Sequence, residues 1–345
     1  MLEKLTLLIP THNRHDYLSR ALAYYKDSGI HTVVADSTNQ PFKEKNLYPK
    51  IEYLHYPNQS YSNKLPAAFA HIKTPYIVMC ADDDFIVIET LIKCLQFLEK
   101  NSDFSVAMGT NIYFSQKKNN KIDIELAPVY KGKLDYIIDD ENPFERLQKM
   151  FDNYRTVYYG LHRTEILMAS YENTEAIKNL LLYEYISGLY PLIAGKVMGF
   201  KDLYQMREYI GIPQAGLPNI DKIFSDDAVR SEYEKLLDQQ SNLISAKSGY
   251  EAILVRNKLN DALMKYAKHY ELPPFQYIKS QLKVKGIWFL LSDSLDFFPI
   301  KSMKSFINKL RLKPIGSQQK NQEHIKKIKD FIVNYYTQKK NNKHT

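Results

Sequence analysis

Short apolar runs that end in polar residues alternate with stretches of helical spacing over the first part of the chain. The runs typical of buried strands are Leu5–Ile9, Thr32–Ala35, Ile51–His55 and Tyr76–Ala81. Stretches with apolar side chains on one helix face lie between and after them, at residues 17–26, 63–72 and 89–100. This alternation predicts an α/β fold in which helices flank both faces of a mostly parallel sheet.

Polar or acidic side chains follow three of these strands. They are Asn13 and Arg14, then Asp36, then Asp82–Asp84. If the strands are parallel, the three loops line one edge of the sheet, which is where open α/β sheets bind ligands. Three adjacent carboxylates near a core are costly, and a divalent cation with a phosphorylated ligand would offset them. The plain alternative is an acidic turn that caps the following helix.

The last third of the chain has a different pattern. Gly211, Pro213, Gly216 and Pro218 cluster, so we expect one domain over residues 1–215 and a helical C-terminal region over residues 216–345. Residues 300–312 alternate Lys or Arg with apolar side chains, which is typical of a basic amphipathic helix on an anionic membrane. Packing of such helices on their own domain is the alternative.

Charge and composition place the basic character in the tail. Residues 301–345 contain 12 Lys or Arg and 2 Asp or Glu, whereas the other 300 residues contain 35 and 37. No apolar stretch is long enough to span a membrane, and we expect no signal peptide before the first strand. We therefore expect a cytoplasmic protein with buried, reduced Cys80 and Cys94, peripheral on the inner face of the membrane through its tail, with no nucleic-acid partner.

Several common catalytic patterns are absent from the sequence. It contains no glycine-rich dinucleotide or Walker motif, no Cys/His cluster with zinc spacing and no nucleophile elbow of serine hydrolases. The chemistry therefore has to come from the polar strand ends.

Those strand ends resemble the glycosyltransferase family 2 enzymes, which have the GT-A fold. The resemblance lies in Ile9–Arg14, in Val34–Ser37 and in Cys80–Phe85, in the order that the family has, and it covers about residues 4–210. It implies a GT-A type sheet, a nucleotide-diphospho-sugar donor and a Mg²⁺ or Mn²⁺ ion that bridges the diphosphate.

The resemblance also implies roles for single residues. Asp84 would be the direct metal ligand and Asp82 the second, and Asp82 would also contact the ribose. Further donor contacts would come from Pro10, Thr11, His12, Asn13, Arg14, Asp36, Lys64 and Asp83. Two alternatives stay open from the residues alone: Asp83 is a helix cap, and Lys64 is an exposed helix lysine.

Two more residues complete the expected site. By the same resemblance, Glu184, the one acid in an apolar helical run, would be the general base, and burial would raise its pKa into a useful range. Glu172 and Glu175 are runners-up. Arg207 would neutralise the leaving diphosphate, or form a plain surface pair with Glu208. Candidate acceptor contacts are Tyr158, Tyr159, Tyr183 and Tyr185.

These features together predict an inverting glycosyltransferase. It would transfer a sugar from a nucleotide-diphospho-sugar to a glycan or lipid-linked acceptor in bacterial surface polysaccharide synthesis. One alternative is a metal-dependent nucleotidyltransferase, although residues 10–14 lack the glycine-rich basic loop expected there. The other is a non-catalytic scaffold that binds membrane or nucleic acid through its basic tail.

Overall fold

The first four strands lie side by side, all parallel, and form one half of a single sheet. The computed structural model describes residues 1–119, 121–128, 136–152, 157–172, 177–208, 225–270 and 319–341. The four strands are β1 Leu5–Thr11, β2 His31–Asp36, β3 Ile51–His55 and β4 Tyr76–Met79. Their order across the sheet is β3-β2-β1-β4, so their carboxyl ends meet at one edge, as the apolar runs predict.

The helices of this half are α1 His15–Tyr25, α2 Tyr61–Phe69 and α3 Ile88–Lys100. Arg14, and not Asn13 or Asp16, is the N-cap residue of α1, and no side chain caps the helix. Asn13 instead has a left-handed φ of 55°, a conformation that Asn tolerates, and it turns the chain out of β1. The helix α2 does have a side-chain cap, since Ser60 Oγ accepts a hydrogen bond from the Asn63 N–H at 3.3 Å.

The second half of the sheet mixes parallel and antiparallel pairs. Its strands are β5 Phe85–Ile86, β6 Phe104–Asn119, β7 Lys121–Pro128, β8 Tyr136–Ile138, β9 Leu161–Arg163 and β10 Lys196–Glu208. The short β9 runs antiparallel between β4 and β6 and so joins the two halves. β6 and β10 pair in parallel, and β5 pairs antiparallel with the end of β10. The strand β10 therefore returns to the loop after β4.

The remaining helices before residue 270 are α4 Pro143–Asp152, α5 Thr164–Ser170, α6 Leu180–Ala194, α7 Asp227–Ser248 and α8 Ala252–Tyr270. The helix α6 continues through Gly188 and Pro191 without a break. Arg146 of α4 explains how this helix ends: its guanidinium donates to the carbonyls of Leu192 and Ile193 at 2.6 and 3.0 Å. Those carbonyls would otherwise lack partners at the helix end.

A C-terminal helix, α9 Gln319–Asn341, packs on the sheet. Ile328 and Ile332 are buried against side chains of β5, β6 and β10, among them Phe85. Ion pairs at the rim join Lys327 to Glu89 at 3.0 Å and Lys339 to Asp16 at 2.7 Å. This part of the basic tail therefore packs on its own domain, which was the alternative expectation.

Two expectations about the tail lie outside the described residues: the amphipathic helix at 300–312 and the domain boundary near residue 215. Within the described ranges, no helix combines the length and the apolar composition needed to cross a membrane.

Candidate active site

The acidic loop, Asp82–Asp84, connects β4 to β5 at the carboxyl edge of the sheet. All three residues are buried, with 3%, 6% and 3% of their surfaces exposed. The apolar strand before them and Phe85–Ile86 after them anchor the loop at both ends. Three carboxylates at this depth need compensating partners, and the structure gives each one a different set.

Asp82 and Asp83 both face the segment that follows β1. Thr11 Oγ1 donates a hydrogen bond to Asp82 Oδ2 at 2.7 Å, and Arg14 Nε lies 3.3 Å from Asp82 Oδ1. The same guanidinium forms an ion pair with Asp83. The expectation that Asp83 caps a helix is wrong, because α3 begins at Ile88 with Val87 as its N-cap residue.

Asp84 faces the end of β10 instead. Its Oδ2 accepts a hydrogen bond from Gln205 Nε2 at 3.0 Å and its Oδ1 accepts one from the Glu208 N–H at 2.9 Å. Arg207 Nε lies 3.5 Å from Asp84 Oδ2. The structure thus brings together Arg207 and Asp84, whereas a surface pair of Arg207 with Glu208 does not form; Glu208 pairs with Arg20 at 2.6 Å.

The acidic loop holds more negative charge than its cations offset. Burial, and after it the charge of Asp83, raises the pKa of Asp82 and of Asp84, while Arg14 and Arg207 respectively oppose the shift. Deprotonating both buried carboxylates is therefore unfavourable without a further cation. A divalent ion bound here would offset the negative charge and so favour ionised carboxylates.

Asp36, at the end of β2, lies in a different environment. His15 Nε2 lies 2.7 Å from Asp36 Oδ2, the Tyr53 hydroxyl donates to the same oxygen at 2.6 Å, and the Thr38 N–H donates to Oδ1 at 2.8 Å. Burial by itself raises the pKa of Asp36, but the hydrogen bonds from Thr38 and Tyr53 outweigh it and leave the pKa below its usual value. Asp36 is therefore held as an ionised acceptor.

Residues 10–13 form the rim between β1 and β2. Pro10 is half-buried in the strand, whereas His12 and Asn13 are exposed. His12 Nδ1 lies 3.1 Å from Ser37 Oγ, and Asn13 Nδ2 lies 3.0 Å from His12 Nε2. These contacts fix an exposed polar surface beside Asp36.

Lys64 is buried below this rim, so the alternative of an exposed helix lysine is wrong. Its ammonium group donates to the Thr11 carbonyl at 2.7 Å and to Ser37 Oγ at 2.9 Å. Burial lowers the pKa of Lys64 to about 8, while Asp36 and Asp82 act in the opposite direction. Lys64 joins the ends of β1 and β2 from inside the domain.

Glu184 lies in α6, at a position whose side chain falls outside the described part of the structure. The same holds for Tyr185. Tyr158 and Tyr183 are buried, and their hydroxyls bond to Tyr61 and to the Ser62 carbonyl, so neither is available to an acceptor. Tyr159 is half-buried, and the Arg207 guanidinium lies 4.7 Å from its ring centre.

Several site residues were missed from the sequence, foremost Arg20, Gln205, Glu208 and His15. Arg20 is fully buried in α1 and pairs with Glu208. The sequence contained one signal. Tyr17 and Tyr24 lie three residues before and four after Arg20, on the same helix face. A solvated arginine is seldom flanked by aromatic residues in this way.

The oxygen atoms at the acidic loop are ligands that suit a hard divalent cation. Asp82 and Asp84 offer carboxylate oxygens, and Gln205 Oε1 is buried and has no hydrogen-bond partner among the described residues. No group of three or more His, Cys, Asp or Glu that could hold a metal occurs in the described ranges. A Mg²⁺ or Mn²⁺ ion bound here would therefore take one or two carboxylates from the chain and its other ligands from phosphate and water, as Mg²⁺ commonly does.

Comparisons with known proteins give a family and several structural neighbours. Residues 6–156 match the family model described as glycosyl transferase family 2. The crystal structure of S. aureus TarS aligns with a TM-score of 0.48 and 13% identity, over 79% of this chain and 44% of TarS. TarS 1–349 in complex with UDP-GlcNAc aligns with a TM-score of 0.45 and 13% identity, over 73% of this chain and 69% of that chain. The comparison with curated proteins finds no significant match.

Proposed function

We propose that the chain, whose residues 6–156 match the glycosyl transferase family 2 model, is a family 2-like glycosyltransferase with a GT-A fold. In this proposal it uses a nucleotide-diphospho-sugar as donor and transfers the sugar with inversion. The proposed acceptor is a glycan or a lipid-linked saccharide, and the proposed role is bacterial surface polysaccharide synthesis. The observation that supports the donor most is the convergence of Asp36, Arg14, Asp84 and Arg207 on one sheet edge. Asp36 is a hydrogen-bond acceptor, Arg14 and Arg207 are cations, and Asp84 belongs to an acidic loop that could bind a metal ion.

In this proposal the nucleoside and the diphosphate of the donor bind at different ends of the site. The ionised Asp36 accepts a hydrogen bond from the base or ribose, beside the exposed rim formed by His12 and Asn13. Arg14 and Arg207 lie at the acidic loop, where their guanidinium groups neutralise charge on the diphosphate.

A Mg²⁺ or Mn²⁺ ion on Asp84 and Asp82 would supply further charge stabilisation to the departing nucleotide. The hydrogen bonds from Gln205 and from the Glu208 N–H orient the Asp84 carboxylate for this task. Lys64 contributes indirectly, because it joins the backbone at Thr11 to Ser37 and so fixes the loop that carries Asp36.

The proposed transfer forms one bond at the anomeric carbon and breaks another. An acceptor hydroxyl attacks the anomeric carbon from the side opposite the diphosphate, and its proton passes to the proposed base Glu184. The bond from the anomeric carbon to the diphosphate oxygen breaks, and the charge that develops on that oxygen lies near Arg207.

A screen of nucleotide sugars tests the proposed donor. We expect one member of a panel of UDP-, GDP- and dTDP-sugars, with Mn²⁺ present, to raise the melting temperature, because a ligand that binds only the folded state stabilises it. The matching nucleoside diphosphate should also stabilise, since Asp36 and the arginines contact its base and phosphates. A panel in which no nucleotide sugar stabilises or binds would contradict the proposal.

We also propose a peripheral position at an anionic membrane. The support is the outward face of the C-terminal helix, where Lys320 and Lys326 are exposed while its apolar side is buried against the sheet. Attraction of such lysines to anionic lipid is electrostatic and needs no insertion of the helix.

A further inference from the structure

A fully buried arginine lies behind the acidic loop. Arg20, in α1, has no exposed surface. Its Nη2 donates to Glu208 Oε2 at 2.6 Å and to the Asp83 carbonyl oxygen at 2.9 Å. A buried guanidinium is costly unless its charge is paired, and Arg20 Nε already lacks a hydrogen-bond partner among the described residues. The contacts of Nη2 are therefore costly to lose.

One partner of Arg20 contacts Asp84, and the other precedes Asp84 in the chain. The Glu208 N–H donates to Asp84 Oδ1 at 2.9 Å, and Asp83 is the residue directly before Asp84 in the loop. Gln116 Nε2 donates to the second oxygen of the Glu208 carboxylate at 2.7 Å and fixes its orientation. Arg20 therefore ties the backbone of the acidic loop to the strand residue that orients the Asp84 carboxylate.

The C-terminal helix supplies a third contact. Arg20 Nη1 donates to the Tyr336 hydroxyl at 3.2 Å. The same helix buries Ile328 and Ile332 in a cluster that includes Phe85, the residue directly after the acidic loop. The helix thus reaches the loop by a polar route through Arg20 and an apolar route through Phe85.

We propose that Arg20 and Tyr336 are positioning residues of the transferase site, and that the C-terminal helix sets the conformation of the acidic loop through them. Neither side chain touches the donor in this account. The consequence for donor and metal affinity rests on the proposed function, whereas the consequence for the loop backbone does not.

The chain offers a matched pair of tyrosines for the test. Tyr335, next to Tyr336, also forms a hydrogen bond with α1, but its hydroxyl donates to Ser19 Oγ at 3.0 Å. Tyr335→Phe and Tyr336→Phe each remove one hydroxyl between the same two helices. Only Tyr336→Phe removes a contact to Arg20, so a general loosening of the helix affects both variants and the proposed route affects one.

Hydrogen exchange of the full-length protein measures the loop directly. We expect Tyr336→Phe to speed exchange in peptides covering residues 80–87 and 204–208 by roughly 10-fold, the order set by a hydrogen bond to a charged group. Tyr335→Phe should leave these peptides at the wild-type rate. Arg20→Lys, which keeps the charge but lacks the planar fork, should speed exchange at least as much as Tyr336→Phe.

Affinity for Mn²⁺ alone provides the second readout. We expect Tyr336→Phe to weaken Mn²⁺ binding by about 3- to 10-fold, while Tyr335→Phe binds like wild type. Equal exchange rates at the loop in the two tyrosine variants would overturn the inference. If wild type binds neither Mn²⁺ nor any nucleotide sugar, the proposed function fails, and the exchange rates still decide whether Arg20 and Tyr336 position the loop.

Discussion

At the scale of single residues, three adjacent aspartates have separate surroundings. Asp82 and Asp83 contact the segment after β1, whereas Asp84 contacts the end of β10. Their place at the end of an apolar strand could be predicted, because strand runs and polar strand ends are local signals. Their partners could not, because Gln205 and Glu208 lie more than 100 residues away, and pairing over that distance depends on strand order.

The burial of Lys64 could not be predicted either, because it too depends on tertiary partners. Its sequence neighbours Asn63 and Pro66 gave no sign of burial, and an exposed lysine was an equal expectation. The structure buries it because α2 packs over the ends of β1 and β2, where the Thr11 carbonyl and Ser37 accept its hydrogen bonds. A lysine is buried only where such acceptors and nearby carboxylates meet it, and these come from tertiary structure.

The proposed base gives a prediction at this scale. We expect Glu184→Gln to bind the donor like wild type and to transfer sugar at least about 100-fold more slowly, because the proton acceptor is lost but the donor contacts remain. Calorimetry measures donor binding and a coupled assay of nucleoside diphosphate release measures transfer.

Glu172→Gln is the control, since Glu172 is one of the two runners-up for the base and is exposed in the structure. It should transfer at the wild-type rate. Full activity of Glu184→Gln, or a loss confined to Glu172→Gln, would contradict the assignment of the base.

At the scale of elements, the strands and helices of residues 5–100 could be predicted well, and later ones less so. The helix α6 passes through Gly188 and Pro191, because burial of its apolar side chains and the contacts from Arg146 outweigh the two helix breakers. The strand β9 has only three residues and runs antiparallel, so no local pattern identifies its direction.

His162 on β9 gives a prediction about pH. Burial lowers the pKa of His162 to about 4, from an ordinary value of 6.5. Above that ordinary value the ring is neutral in the folded and the unfolded chain alike. As the pH falls toward 4, the unfolded chain takes up the proton first, so this group lowers the stability of the fold.

We expect His162→Gln to remove this acid sensitivity. Between about pH 7 and about pH 4.5 the free energy of unfolding of wild type should fall by about 2 to 3 kcal/mol more than that of the variant. Urea unfolding at the two pH values measures the difference. Parallel pH profiles for both proteins would show that His162 is protonated as easily in the fold as outside it.

At the scale of the whole molecule, the basic tail has an observed packing role and a proposed membrane role, which the sequence could not separate. The C-terminal helix buries its apolar side against β5, β6 and β10 and leaves Lys320 and Lys326 exposed. Deleting residues 301–345 would expose Phe85 and its apolar neighbours, and a loss of membrane binding would then have two explanations.

Charge reversal on the helix surface tests membrane association more cleanly. We expect Lys320→Glu combined with Lys326→Glu to weaken binding to vesicles of phosphatidylglycerol by roughly 10-fold or more, since each lysine near such a surface contributes about 1 kcal/mol. Vesicle sedimentation at low salt measures this, with the exposed Lys100→Glu as the control. If wild type does not sediment with the vesicles, the proposed membrane position is wrong.

The central claim is that the acidic loop binds the diphosphate end of a nucleotide sugar together with a divalent ion. Calorimetry of wild type and Asp84→Asn with the best nucleotide sugar from the screen, with and without Mn²⁺, tests it most directly. Asp227→Asn, at an exposed carboxylate in the first turn of α7, is the control.

The account predicts that Mn²⁺ tightens donor binding to wild type and to Asp227→Asn. In the presence of Mn²⁺ the donor affinity of Asp84→Asn should be lower than that of wild type by about 10-fold or more. Without metal, Asp84→Asn should keep the weaker donor binding of wild type. The opposite result is equally clear. If Asp84→Asn binds the donor as tightly as wild type in the presence of Mn²⁺, the acidic loop is not the metal and diphosphate site.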